Sequence, residues 1–248
     1  ACPHRAPPCA LGGKDHSERP HLHIEEDLRA KIVRIYDLLR GAYGEPHRQG
    51  RIDPIGELVG VIISQHTSDV NTDRAYENLV QTFGSWEAVR DAPVDAIADA
   101  IKTAGLSNVK APRIKAVLQT ISSRYGRLDL SHLAGLPLAE AKAELRSLPG
   151  VGPKTAACTL LFALDMPAFP VDTHIYRVAR RIGLIGDRVG PDAAHDVLEP
   201  LIPPDKVFGF HILMIHHGRV TCRARDPRCP ECVVLHECAY GRRALGRP

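Results

Sequence analysis

The stretch Leu148-Pro149-Gly150-Val151-Gly152-Pro153-Lys154-Thr155-Ala156-Ala157 constrains the chain more than any other. Two glycines flank one apolar residue, so the backbone there can take conformations that other residues reach only at a cost. Pro153 suits a first helical position, where a missing N–H costs nothing. Ala156, Ala157, Leu160, Leu161 and Ala163 then continue as an apolar helix. A tight turn feeding a helix N-terminus lets backbone N–H groups approach a phosphate, and the helix adds partial positive charge. Lys154 falls in that first turn. A deprotonated amine in such a place is a nucleophile for an electrophilic carbon. The same residues also suit a plain glycine turn before a core helix with a solvated lysine, and one motif does not decide between the two.

The 248 residues suffice for one or two domains with real cores. Aromatic residues make up only 5%, and Val/Ile/Thr runs are short, which argues against a β-rich fold. The formal charge of +3 is unevenly placed: residues 219–248 carry seven arginines against three acids, leaving the rest close to neutral. A local basic patch of this kind suits a polyanion, although a solvated tail has the same composition. The first twenty residues hold Pro, His and charge but no apolar segment of signal-peptide type, and runs such as Val61-Ile62-Ile63 are too short to span a bilayer. A cytoplasmic, reducing setting without membrane attachment is therefore expected, and in it seven cysteines point to a metal centre rather than disulfides.

Along the chain, residues 1–22 read as a flexible extension punctuated by Pro and Gly, with Cys2 and Cys9 in no interpretable spacing. A helix is expected over about 25–43, with Leu28, Ile32, Ile35 and Leu39 on one face. Asp53-Pro54 starts a nearly all-apolar helix, which the polar run Ser64-Gln65-His66-Thr67-Ser68-Asp69 ends. Val70, Leu79 and Phe83 mark the next helix; shorter ones follow near 85–91 and 94–104, with Leu106-Ser107-Asn108 as a connector. Further helices are expected near 109–125, 138–147, 173–182, 191–200 and 204–217. No convincing strand and no solenoid repeat is present, so the class is all-α.

Four cysteines form Cys222-x6-Cys229-x2-Cys232-x5-Cys238, with Pro227 and Pro230 bending the chain between them. Four thiolates suit tetrahedral zinc or a [4Fe–4S] cluster. Only one short knuckle is present, and the first gap of six leaves room to wrap a bulkier centre, which favours the cluster; zinc stays open. Either centre is closed by protein ligands and therefore structural in role. The loop between Cys222 and Cys229 displays Arg223, Arg225 and Arg228, a surface suited to phosphates.

Asp172, in Pro170-Val171-Asp172-Thr173-His174-Ile175-Tyr176-Arg177-Val178, follows Lys154 by eighteen residues. Asp172 or Thr173 can serve as a helix N-cap. A chain that reverses after Met166-Pro167 can also bring Asp172 back toward Lys154. Taken together, the Leu148–Ala156 turn, the Val171–Val178 stretch and the cysteine tail resemble, in the right order over about 25–240, the endonuclease III family of DNA glycosylases in the helix-hairpin-helix superfamily.

The resemblance implies two helical lobes with a DNA-binding groove between them: a six-helix domain over 54–166 containing the hairpin, and a second made of 23–53 with 167–248 carrying a [4Fe–4S] cluster. It implies a bifunctional glycosylase/AP lyase that acts as a monomer on damaged double-stranded DNA near the nucleoid and removes oxidised pyrimidines such as thymine glycol. Lys154 would attack C1′, with Asp172 assisting, and the Schiff base would permit β-elimination on the 3′ side. Gly150, Val151, Gly152, Thr155 and Arg225 are the expected backbone contacts. His66 matches the family's gap-filling glutamine and Leu106 its wedge leucine, but Gln65 stands one residue earlier, so either Gln65 or His66 could fill the gap left by the extruded nucleotide. Two alternatives are an adenine-mismatch glycosylase of the same superfamily, which lacks a lysine at the Lys154 position, and a non-catalytic DNA-binding module with structural zinc, which needs neither Lys154 nor Asp172.

Overall fold

The computed structural model describes residues 19–48, 50 and 53–247, the first of these, 19–24, by backbone only. Cys2, Cys9 and residues 1–18 of the expected extension lie outside the described residues, whereas residues 19–22 already belong to the first helix. Twelve α-helices are present among the described residues, with no strand. They are α1 (Arg19–Tyr43), α2 (Pro54–Ser64), α3 (Asp69–Phe83), α4 (Trp86–Asp91), α5 (Val94–Ala100), α6 (Ser107–Tyr125), α7 (Leu138–Arg146), α8 (Pro153–Cys158), α9 (Thr173–Ile182), α10 (Ala193–Leu198), α11 (Val207–Val220) and α12 (Ala239–Ala244).

Local chemistry explains the main boundaries. The Asp53 carboxylate accepts from the N–H groups of Ile55 and Gly56, and the Trp86 indole donates to the same carboxylate at 2.7 Å. Ser68 caps α3 through the Asn71 N–H. The short helix expected at 94–104 ends as α-helix at Ala100 and finishes in a 3₁₀ turn, Lys102–Ala104. Ser107 and Asn108, expected as connector, are helical, and Leu106 alone stands before α6. The helix begun at Pro153 widens into a π-helical turn, Thr159–Ala163, where the chain passes between two cores. Val70, at the start of α3, is 66% exposed. Helix α12, within the cysteine tail, carried no apolar periodicity that would have announced it.

Two hydrophobic cores result. The first gathers α2 to α8, with Ile55, Leu58, Val59, Ile62 and Ile63 of α2 fully buried at its centre. Each such side chain stabilises the fold by about 2 kcal/mol relative to solvent exposure. The second joins Ile32, Ile35 and Leu39 of α1 to α9, α10, α11 and the cysteine tail. The division falls inside one helical segment: Leu160 packs in the first core and Leu161 in the second. The chain returns once more, with Ala168 in the first core and Phe169 in the second. The segment that carries Lys154 in its first turn therefore ends at the junction between the two cores.

Candidate functional site

The hairpin turn is built as its residues require. Leu148-Pro149-Gly150-Val151 closes with the Val151 N–H donating to the Leu148 carbonyl at 3.2 Å, and Gly150 has φ +74°. Proline at the second turn position and glycine at the third, left-handed one are the type II preference. The stem of Arg113 on α6 covers the Gly150 α-carbon, so an added Cβ would stand 3.4 Å from its Cδ. Gly152 caps α8 without a side-chain bond. The N–H groups of Gly150, Gly152, Lys154 and Thr155 find no acceptor among the described residues, which leaves several donors at one helix start. Val151 is buried and spends its N–H within the turn; Thr155 is 3% exposed, with its side chain buried and its backbone N–H free at the helix start. Lys154 is exposed in the first turn of α8.

Asp172 is an N-cap: its carboxylate accepts from the Ile175 N–H at 2.7 Å. The preceding backbone is tied residue by residue. Phe169 N–H donates to Glu199, which also receives Lys142 of α7 at 2.9 Å. Val171 N–H donates to His195 Nε2 at 3.0 Å, and the Pro170 carbonyl accepts from His211 Nδ1 at 3.0 Å. Burial holds both histidines neutral, His211 down to about 4, which suits these single-proton roles. Lys154 and Asp172 stand at the starts of α8 and α9, and both act electrostatically on the same two buried groups. Cys158, buried one turn past Lys154, is pushed up to about 12 by burial and senses the charges of Lys154, Glu57 and Asp172; His211 senses Asp172 and Lys154.

Glu57 carried no sequence motif. It lines an open pocket between α2 and α3 with Gly60, Val61, Ser64, Thr72 and Tyr76. Burial raises its carboxyl from the ordinary value near 4.5 to about 7. Because the folded value lies above the unfolded one for an acid, folding favours the protonated form. Stability from this group is intact below pH 4.5 and declines as pH rises toward 7, by up to about 3 kcal/mol. Glu57→Gln should therefore leave thermal stability unchanged at pH 4 and raise it at pH 8. Melting curves at the two pH values test this, and equal melting temperatures for variant and parent at pH 8 would contradict it.

Two connections bear the residues expected to enter DNA. Gln65 follows the end of α2, and its side-chain oxygen accepts from Arg113 at 3.2 Å. His66, next to it, is exposed with φ +56°. Leu106, before α6, is 58% exposed with φ +51°. Left-handed backbone at a residue with a side chain costs roughly 1–2 kcal/mol, and such strain clusters at functional sites. Val70 and Val109 are exposed nearby in sequence, so apolar surface flanks both positions. Sequence reasoning missed Lys110: it is 1% exposed and donates to the carbonyls of Ile63 at 2.7 Å and Ala104 at 2.9 Å. Its signal was present, because Lys110 occupies the apolar stripe of Ile114, Val117, Leu118 and Ile121.

Cys222, Cys229, Cys232 and Cys238 line one apolar pocket with Ile182, His217 and Gly241. Among the described residues no three of His, Cys, Asp or Glu converge closely enough for a single metal ion. The pocket is furnished for sulfur: Gly241 N–H donates to Cys238 Sγ at 3.3 Å, Arg181 to Cys222 Sγ at 3.5 Å, and His217 Nε2 stands 3.7 Å from Cys232 Sγ. A Cβ at Gly241 would meet Leu235 at 2.8 Å. Helix α9 grips this loop: Arg177 donates to the carbonyls of Cys222 and Gly218, and Arg181 to those of Arg223 and Ala224. The helix that Asp172 caps at one end is thus anchored to the cysteine loop at the other. Arg223, Arg225 and Arg228 are exposed, and Arg225 has no side-chain partner among the described residues.

A hairpin turn and helix start rich in free N–H groups, a lysine in that first turn and a capping aspartate on the next helix define a class. Residues 59–204 match the HhH-GPD superfamily of base excision DNA repair proteins. The chain is 30% identical to endonuclease III of Thermotoga maritima over 88% of its own length and 93% of that protein, and 31% identical to endonuclease III of Escherichia coli over 85% and 96%. The solved structure of a trapped endonuclease III–DNA covalent intermediate, an estranged-adenine complex, superposes with a TM-score of 0.75 at 26% identity, covering 88% of this chain and 98% of that one. The chain belongs to the endonuclease III family. It is a base excision repair enzyme of the DNA glycosylase/AP lyase class. No helix among the described residues is long and apolar enough to cross a membrane.

Proposed function

We propose that the protein removes oxidised pyrimidines such as thymine glycol from duplex DNA and then cleaves the abasic strand. The observation that carries this reading is the placement of Lys154, exposed at the start of α8 among free N–H donors, and of Asp172 as the cap of α9. The Lys154 amine attacks C1′ of the extruded nucleotide, the C1′–N bond breaks toward the base, and the resulting Schiff base acidifies C2′ for β-elimination of the 3′ phosphate. Asp172 accepts a proton and balances the positive charge that develops on the sugar, while its other oxygen stays on the cap. His66 and Leu106 occupy the space that the nucleotide vacates; Gln65 is held back by Arg113. DNA lies in the groove between a domain of 54–166 and one of 23–53 with 167–248, its phosphates on the free N–H groups of the hairpin. The test is borohydride treatment of the protein with abasic and thymine-glycol duplexes. A covalent adduct with both is expected, and protein that binds both duplexes without forming an adduct would favour a non-catalytic binder.

The four cysteines would hold a [4Fe–4S] cluster. One apolar pocket shared by all four cysteines, with N–H donors directed at the sulfurs of Cys238 and Cys222, suits a cuboidal centre. Bound there, the cluster supplies rigidity and no reaction step.

Arg225 would contact the DNA backbone. Each phosphate neutralised adds about 0.9 to the salt slope on duplex DNA. Arg225→Ala should weaken damaged and undamaged duplexes alike and flatten the salt dependence by roughly one unit, with the saturated single-turnover rate kept. Arg243→Ala is the control outside the loop. A slower saturated rate at an unchanged salt slope would place Arg225 in the active site instead.

A further inference from the structure

Lys110 is the largest fully buried side chain that carries a charge, and no acidic group pairs with it among the described residues. Burying an ammonium is costly unless its donors are satisfied, and an apolar residue would fill the same space more cheaply. Its two acceptors are informative. The Ile63 carbonyl belongs to the last turn of α2, where intrahelical donors have run out, two residues before Gln65 and three before His66. The Ala104 carbonyl ends the 3₁₀ turn, immediately before Gly105 (φ +64°) and Leu106. Lys110 is also donor to the Leu106 carbonyl through its own backbone N–H at 3.0 Å. One residue of α6 therefore holds the base of both strained connections.

We propose that Lys110 is a positioning residue: its ammonium clamps the ends of α2 and of the 3₁₀ turn so that His66 and Leu106 are presented together, as a matched pair, to the DNA stack. The inference rests on the reading of His66 and Leu106 as the residues that enter the stack, and not on the lysine chemistry. Without the clamp two carbonyls lose their donor, the left-handed residues relax independently, and the protein still binds DNA but no longer opens it.

A duplex carrying tetrahydrofuran, a stable abasic analogue, with 2-aminopurine beside it reports opening without any reaction. Wild-type protein should raise the 2-aminopurine fluorescence. Lys110→Met keeps the stem and removes the donors; it should lose most of that rise, about fivefold or more, while affinity for the duplex changes by less than about threefold, because phosphate contacts set it. Lys110→Gln, with a donor amide on a shorter stem, should fall between. In a His66→Ala/Leu106→Ala background Lys110→Met should add almost nothing, since residues acting as one unit are not additive. Fluorescence unchanged in Lys110→Met, fluorescence and affinity falling in parallel, a full additional loss in the double-alanine background, or no rise with the wild type would each overturn the clamp. If the wild type opens this duplex yet forms no borohydride adduct with abasic DNA, the lyase reading falls and the clamp stands.

Discussion

Lys154→Gln should form no borohydride-stable adduct with abasic DNA, and its strand-cleavage rate should drop by roughly 10⁴-fold or more, the scale on which deleting a covalent nucleophile acts. Lys154 is exposed and packs into neither core, so the substitution removes an amine without opening a cavity. The N–H groups at the start of α8 are untouched, and affinity for damaged duplex should fall only severalfold, about what one lost charge near phosphates contributes. Asp172→Asn is the companion test. Asparagine caps a helix about as well as aspartate, so the bond to the Ile175 N–H survives and stability should change by less than about 1 kcal/mol. The carboxylate charge is lost, and the rate should fall about 10²- to 10⁴-fold. Adduct at near wild-type yield from Lys154→Gln would move the nucleophile to another amine. A large melting shift with little rate loss in Asp172→Asn would reduce Asp172 to a cap.

Cys232→Ala should give colourless protein without stoichiometric iron and destabilise the second core by several kcal/mol, on the order of 5, as loss of a structural metal centre does. The reason lies in what the loop holds. Arg177 and Arg181 of α9 find their acceptors on Gly218, Cys222, Arg223 and Ala224. A loop released from its centre withdraws most of them and leaves the far end of α9 unanchored. Because Asp172 caps that same helix, activity should decline along with stability, unlike in Lys154→Gln. Iron analysis, visible absorbance and melting read this directly. Native wild-type protein that is colourless with one zinc per chain would replace the cluster with a Cys₄ zinc site.

Much of the chain is legible from local rules, and the places where legibility ends have physical causes. Asp53 as a cap and the tight turn at Gly150 are properties of a few consecutive residues, and the structure realises both. The apolar stripes of α1 and α2 are equally local. A motif names positions without saying which way a side chain turns: on α8 the side chain of Thr155 is buried, while its backbone N–H stays free at the helix start. Ser107 and Asn108 read as connector because polar residues suit turns, yet with Leu106 held in a left-handed conformation the next residue can already begin α6.

By itself the sequence determined the class of the protein: an all-helical chain, a turn that presents backbone donors, a lysine and an aspartate at two helix starts, and four thiols in a short tail. These rest on residues within a turn or two of one another, where propensity and spacing act directly. Only the tertiary structure decided which distant groups share a neighbourhood. It set Glu57 in an open pocket between α2 and α3 and raised its carboxyl, passed one helical segment from the first core to the second between Leu160 and Leu161, and tied α9 to the cysteine loop. It also turned Lys110 inward onto two carbonyls from different segments. A buried charge is tolerated only where its donors meet acceptors, and those acceptors lie 47 and 6 residues away along the chain. No local pattern contains that pairing; it exists only once α2, the 3₁₀ turn and α6 are packed.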